Sequence, residues 1–191
     1  MGHIVSPEFK GAGHPVVWLC PEYGPDGLPV AASLKKVYQS VNRLMKKGKV
    51  LAAYTATFGG VAEAVLKMAL GNGIGFRFDE GCTLDELFAY SYGSFVLELT
   101  EQEEIGLPLG VTTEEGSFTW REESIPLQEL QEAYEGKLEP IYPCNIAQGQ
   151  KEIPTLSAHG DSWKKPLIKA AKPRVLIPVF PGTNCEYDTA K

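Results

Sequence analysis

The chain's best-placed chemistry lies in four consecutive residues, Thr57, Phe58, Gly59 and Gly60. They stand between an apolar run, Val50 to Thr55, and a helical pattern from about Val61 to Leu70. Glycine at such a strand-to-helix turn lets a ligand approach the backbone closely. A helix start offers unpaired amides and a partial positive charge, both suited to phosphate. Thr57 adds a hydroxyl. These four residues are the candidate phosphate- or nucleotide-binding positions. The plainer reading is a tight connection. The Gly-Lys-Ser/Thr ending of a Walker loop is absent, and so is the GxGxxG spacing of a dinucleotide fingerprint.

Other reactive side chains assemble less well. Glu101, Glu103 and Glu104, with Glu114, Glu115, Glu122 and Glu123, could suggest a metal, but nothing fixes them on one face. They read as loop charges. The four cysteines, Cys20, Cys82, Cys144 and Cys185, are widely spaced with no CxxC pair, a poor pattern for zinc. Cys185 follows Pro-Gly-Thr-Asn and could be taken for a nucleophile. No histidine lies close to it in sequence to serve as base, so a structural thiol is the expectation. His3, His14 and His159 fall in loops or tails and receive no catalytic role. No catalytic residue and no metal ligand is assigned.

Those four residues need elements to hold them. Pro15 to Leu19 reads as a strand, and Cys20 to Pro29 as a turn-rich loop. Leu34, Val37, Tyr38, Val41, Leu44 and Met45 recur at spacings of three and four, which predicts a helix over 31–48 stopped by Gly48. Its lysines read as a solvated face. Val50 to Thr55 reads as a buried strand, Val61 to Leu70 as a second helix, and Ile74 to Phe78 as another strand. Thr83-Leu84-Asp85-Glu86 is a capping box opening a short helix to about Ala89. Ser94 to Leu99 and Ser117 to Trp120 are strands, and Pro126 to Tyr134 is a last amphipathic helix. Residues 14–138 thus form one sheet layered with helices. After Leu138 the periodicity stops, and prolines mark a linker. Arg174 to Phe180 gives a fresh buried-strand pattern, then a turn, then a helix start from Cys185. A strand and a turn are no stable unit alone. The sequence therefore reads as a piece cut just inside a second domain.

Composition sets the outer bounds. With 43% hydrophobic and 22% charged residues, the chain is of globular type. A formal charge of -6 argues against a nucleic-acid partner. No apolar run is long enough for a membrane helix, so no membrane partner is expected. Unpaired cysteines suit a reducing cytoplasm.

Several segments resemble a known family. Ser6-Pro7-Glu8-Phe9-Lys10, the helix ending in Lys47-Gly48-Lys49-Val50, Phe58 to Ala64, and Gly71-Asn72-Gly73-Ile74-Gly75 look like the C-terminal-type domain of the aminoimidazole-ribonucleotide synthetase superfamily. Leu138 to Pro143 is similar to the end of that domain in the phosphoribosylformylglycinamidine synthase branch. Arg174 to Glu186 resembles the first strand and turn of that branch's class I glutamine amidotransferase domain. The order of the two domain ends is more specific than any single motif. The resemblance covers about residues 4–143 and 173–191.

The resemblance implies an α+β fold, a mixed β-sheet layered with helices. It divides the chain into a synthetase C-terminal-type domain at 1–143, the second such copy, a linker at 144–172 and a truncated glutaminase start at 173–191. It implies a purine-biosynthesis ligase that uses ATP and magnesium to activate the amide oxygen of formylglycinamide ribonucleotide. Ammonia from glutamine then displaces phosphate to give the amidine. The partners implied are the other synthetase domains and the glutaminase domain of the same chain. Tyr54-Thr55-Ala56-Thr57-Phe58-Gly59-Gly60 departs from the superfamily's Asp-x-Ser-x-Gly-Gly turn in lacking both acid and serine. The piece itself is therefore expected to be catalytically silent, with no tightly bound cofactor. Two rival readings stand beside this. One is a structural, interdomain module without a ligand; the other is a relative of selenophosphate synthetase or thiamine-phosphate kinase.

Overall fold

A computed structural model describes residues 4–143, 171–172 and 174–191. The linker expected at 144–172 lies almost wholly outside the described residues, as do Cys144, His3 and His159. The chain divides into two units, Met1–Ile146 and Ala147–Lys191.

The first unit is built on seven strands: β1 (Pro15–Leu19), β2 (Val50–Thr55), β3 (Gly75–Phe78), β4 (Phe95–Leu99), β5 (Leu107–Thr113), β6 (Ser117–Trp120) and β7 (Glu123–Pro126). They form one sheet in the order β2-β4-β1-β5-β3-β6-β7. Neighbours run antiparallel except β3 and β6, which are parallel. The helices are α1 (Ala31–Lys46), α2 (Gly60–Leu70), α3 (Leu84–Phe88) and α4 (Leu127–Gly136). The fold is the expected α+β, a mixed sheet layered with helices.

Successive strand residues point to opposite faces, and here both faces are covered over the inner strands. Val17, Leu97 and Leu99 pack on one side with Val37, Val41 and Leu44 of α1. Val16, Val96 and Leu109 pack on the other with Val61, Val65 and Met68 of α2, Leu87 of α3 and Leu127 of α4. Phe9, from the segment before β1, enters this second core and stacks on Phe76 at 5.7 Å between centroids. The α1 spacing holds: its three buried residues follow the predicted face, and Gly48 ends the turn beyond it at φ +69. The Thr83–Glu86 capping box is present with both of its hydrogen bonds.

Two strands escape the sequence reading. β5 lies at the centre of the sheet although Pro108 and Gly110 look like loop residues. Its register with β1 slips at that point, Val16 opposing Gly110 and Val17 opposing Pro108, so Leu109 is the extra residue of a bulge. A Cβ on Gly110 would lie 2.1 Å from the Arg77 carbonyl oxygen, so only glycine fits. β7 pairs with β6 through a two-residue turn in which Arg121 takes φ +54 and its guanidinium sits 4.4 Å from the Trp120 ring centroid. Arg-Glu carries no hairpin signal of the Asn-Gly kind.

In the second unit, the strand expected over Arg174 to Phe180 is not formed. That stretch has no regular secondary structure, and Val175, Leu176, Val179 and Phe180 are exposed. A strand exists only where a neighbour takes up its backbone groups, and no strand pairs with it among the described residues. The turn and the helix after it do form. α5 (Glu186–Ala190) begins behind Cys185, which sits at φ 64. The Cys185 thiol, expected to be structural, is free and exposed.

Candidate functional site

The turn between β2 and α2 brings all four candidate residues together. The Gly60 amide donates to the Thr57 carbonyl at 3.1 Å, which closes the turn. Gly60 takes φ +70, and a Cβ there would lie 2.6 Å from the Leu87 carbonyl oxygen and 2.8 Å from that of Ala89. The second glycine therefore serves the contact with the end of α3. Phe58 is 96% exposed, its ring directed to solvent.

The Thr57 hydroxyl and the Gly59 and Gly60 amides are already engaged. Glu63, in the first turn of α2, reaches back over the helix start. Its Oε2 accepts from the Gly59 amide at 2.7 Å and from the Thr57 hydroxyl at 2.9 Å. Its Oε1 pairs with Lys67 Nζ at 2.6 Å, and that ammonium lies 5.8 Å from the centroid of the Tyr134 ring on α4. A carboxylate thus occupies the place where the helix start favours negative charge. Lys67 first, and then the Gly59 amide and Thr57 hydroxyl, hold the Glu63 carboxyl below its ordinary range against the opposing effect of burial. A phosphate at this turn would compete with Glu63 for the same donors.

This has a pH signature. A carboxyl whose pKa is lowered on folding contributes stability above its unfolded pKa of about 4.3, and loses it as pH falls through the lower folded value. In urea denaturation from neutral to acid pH, Glu63→Gln is expected to be less stable than the wild type by about 1 kcal/mol at neutrality. The gap should close under acid. A constant gap at every pH would show that the Glu63 charge is not what holds the turn.

The acidic clusters do not converge. Glu101 and Glu103 pair with Lys49, while Glu104, Glu114, Glu115, Glu122 and Glu123 are exposed. Among the described residues no three metal-ligating side chains come together. Cys82 is partly buried, and burial pushes its thiol pKa up, with Asp79 and Glu86 adding to the rise. It is a poor nucleophile.

Sequence reasoning missed one polar centre. Glu98 of β4 is 0% exposed. Its Oε1 lies 2.7 Å from His14 Nδ1, and its two oxygens accept the Lys10 amide at 3.1 and 2.9 Å. The His14 amide donates to Thr112 Oγ1 at 2.9 Å, and Asn72 Nδ2 donates to the Phe9 carbonyl at 2.8 Å. These bonds fasten segment 9–14 to the sheet. A signal was available: in Ser94-Phe95-Val96-Leu97-Glu98-Leu99 the alternation sends Glu98 to the same buried face as Val96. A charge there demands a partner. Glu98 and the β2–α2 turn lie toward opposite ends of β4, since Thr55 opposes Phe95 and Val16 opposes Glu98. They do not make one site.

Comparison with known proteins follows these observations. No family model matches the chain. Phosphoribosylformylglycinamidine synthase subunit PurL of Methanothermobacter marburgensis is 30% identical over 133 residues, 60% of this chain and 19% of that protein. Thermotoga maritima PurL complexed with FGAR superposes with a TM-score of 0.56 at 14% identity, over 82% of this chain and 33% of that one. The same protein complexed with ATP gives a TM-score of 0.54 at 16% identity, over 67% and 27%. At such identities the structural likeness speaks for the fold alone. The chain spans about a fifth of the curated relative and no more than about a third of the solved ones. In sequence and in fold, this chain is similar to a segment of the phosphoribosylformylglycinamidine synthase PurL.

Proposed function

We propose that this chain is the second C-terminal-type synthetase domain of a PurL-type ligase, joined to the opening of its glutaminase domain. The intact enzyme would convert formylglycinamide ribonucleotide, ATP and glutamine to formylglycinamidine ribonucleotide, ADP, phosphate and glutamate in the cytoplasm. The observation that carries this reading is the 30% identity to PurL over 133 residues, supported by a superposition on PurL at a TM-score of 0.56. The ATP and substrate complexes of the Thermotoga protein support ATP and formylglycinamide ribonucleotide as ligands of the parent. The chemistry that magnesium supplies is charge neutralisation on the transferred phosphoryl group. Among the described residues no side-chain cluster fits that ion, so no step is routed through it.

What this chain's own residues do is hold and position. Thr57, Phe58, Gly59 and Gly60 form the turn a nucleotide phosphate would approach, while Glu63 already neutralises its donors. That observation favours the second reading at this turn, a non-catalytic scaffold between domains. Titration of the chain with ATP, ADP and formylglycinamide ribonucleotide separates the two. Calorimetry is expected to give no saturable binding tighter than about 1 mM. The Gly59 and Gly60 amide resonances should stay in place. Movement of those two resonances on adding ATP would restore the phosphate reading. Amidine formed by the chain alone would defeat the silent-domain account.

A further inference from the structure

Helix α2 gives way to β3 through Gly71-Asn72-Gly73, a turn closed by the Ile74 amide, which donates to the Ala69 carbonyl at 3.2 Å. Asn72 is the one asparagine of four that precedes glycine; Asn42, Asn145 and Asn184 precede Arg43, Ile146 and Cys185. The backbone nitrogen of the next residue can attack an asparagine side chain, and a Cβ on that residue hinders the approach. Gly73 has none. It sits at φ +66, and the place a Cβ would take is open, with nothing within 4 Å. Asn72 and Gly73 are both exposed, so water and hydroxide reach them.

The side chain open to attack also holds part of the fold. Asn72 Nδ2 donates to the Phe9 carbonyl at 2.8 Å. Phe9 is fully buried and stacks on Phe76, and its amide donates to the Met68 carbonyl at 2.9 Å. Glu8 lies against the same turn, for a Cβ on Gly71 would stand 2.4 Å from the Glu8 Cβ. We propose that Asn72 is a site of spontaneous deamidation, and that the change loosens the hold of this turn on the segment carrying Phe9. The Gly73 nitrogen gives its proton to hydroxide and bonds to Asn72 Cγ. The Cγ–Nδ2 bond breaks, and Nδ2 takes a proton from water and leaves as ammonia. Water then opens the cyclic imide at one carbonyl or the other, leaving aspartate or isoaspartate. No oxidant or reductant enters. Because Nδ2 is both the leaving group and the donor to Phe9, that bond opens first and its loss is permanent. A carboxylate oxygen then faces the Phe9 carbonyl, two acceptors without a proton between them, and Glu8 adds like charge.

Peptide mapping by mass spectrometry, on the folded chain aged in mildly alkaline buffer, tests this. Aspartate and isoaspartate are expected at position 72 and not at Asn42, which is also exposed but precedes Arg43. Gly73→Ala should slow the conversion about tenfold or more. Asn72→Gln, which leaves the turn its glycine, should stay unconverted. In the converted chain, and in Asn72→Asp, the Phe9 amide should exchange its hydrogen about fivefold faster or more. An Asn72 that survives in the folded chain but converts in urea overturns the proposal, since the fold would then shield the site. Conversion of Asn42 as fast as of Asn72 overturns it too, and so does conversion that leaves Phe9 exchange unchanged.

Discussion

Replacing Gly60 with alanine is expected to destabilise the first unit by about 3–5 kcal/mol in urea denaturation. Two costs add. An L-residue at φ +70 carries left-handed strain of about 1–2 kcal/mol. The new Cβ would also stand 2.6 and 2.8 Å from carbonyl oxygens of Leu87 and Ala89, which are backbone atoms and cannot swing aside. Gly59→Ala makes the contrast. Gly59 sits at φ -85, where an L-residue carries no left-handed strain, though its added Cβ would stand 2.6 Å from the Glu63 Cβ and 2.7 Å from its Oε2. That change is expected to cost about 2 kcal/mol, less than Gly60→Ala because only the steric contact and the Glu63 bonds are disturbed. The two adjacent glycines thus have different reasons to be there, one for packing on α3 and one for the carboxylate of Glu63. Equal effects at the two positions would mean that Gly60 does not hold this conformation against α3 in solution.

His14→Ala is expected to cost about 2–4 kcal/mol, because it leaves the Glu98 carboxylate buried with the Lys10 amide alone. Glu98→Leu in the His14→Ala background should recover part of that loss, since an apolar side chain at this depth needs no partner. The double-mutant cycle should therefore show a coupling of about 1–3 kcal/mol. Purely additive losses would mean that the 2.7 Å contact contributes nothing to holding segment 9–14 on the sheet.

The parts of this fold that were legible in the sequence are those governed by local periodicity. α1 shows its buried face at spacings of three and four, and α3 carries its own capping box. β1, β2 and β4 are short runs rich in apolar residues between turn signals. What was not legible depends on neighbours distant in sequence. β5 shows no strand pattern in the sequence because Pro108 and Gly110 are tolerated only by a bulge against β1 and by the close approach of β3. Arg174 to Phe180 reads as a strand by composition, yet pairing decides strands and none is made there among the described residues. At the candidate site, the glycines and Thr57 announced a helix start with free donors. Glu63 was also in view four residues beyond Gly59, but its reach back to the turn is a rotamer choice that spacing alone does not fix. The Glu98–His14 pair joins residues 84 positions apart, so only half of it, a charge at an inward strand position, was visible.

The proposed assignment to a PurL-type ligase is tested most directly by amidine formation by the longer polypeptide it calls for, supplied with formylglycinamide ribonucleotide, ATP and glutamine. One ADP and one glutamate should appear for each amidine, and removal of the stretch corresponding to residues 4–143 should abolish the product. An intact polypeptide that hydrolyses neither ATP nor glutamine in the presence of this ribonucleotide would contradict the assignment.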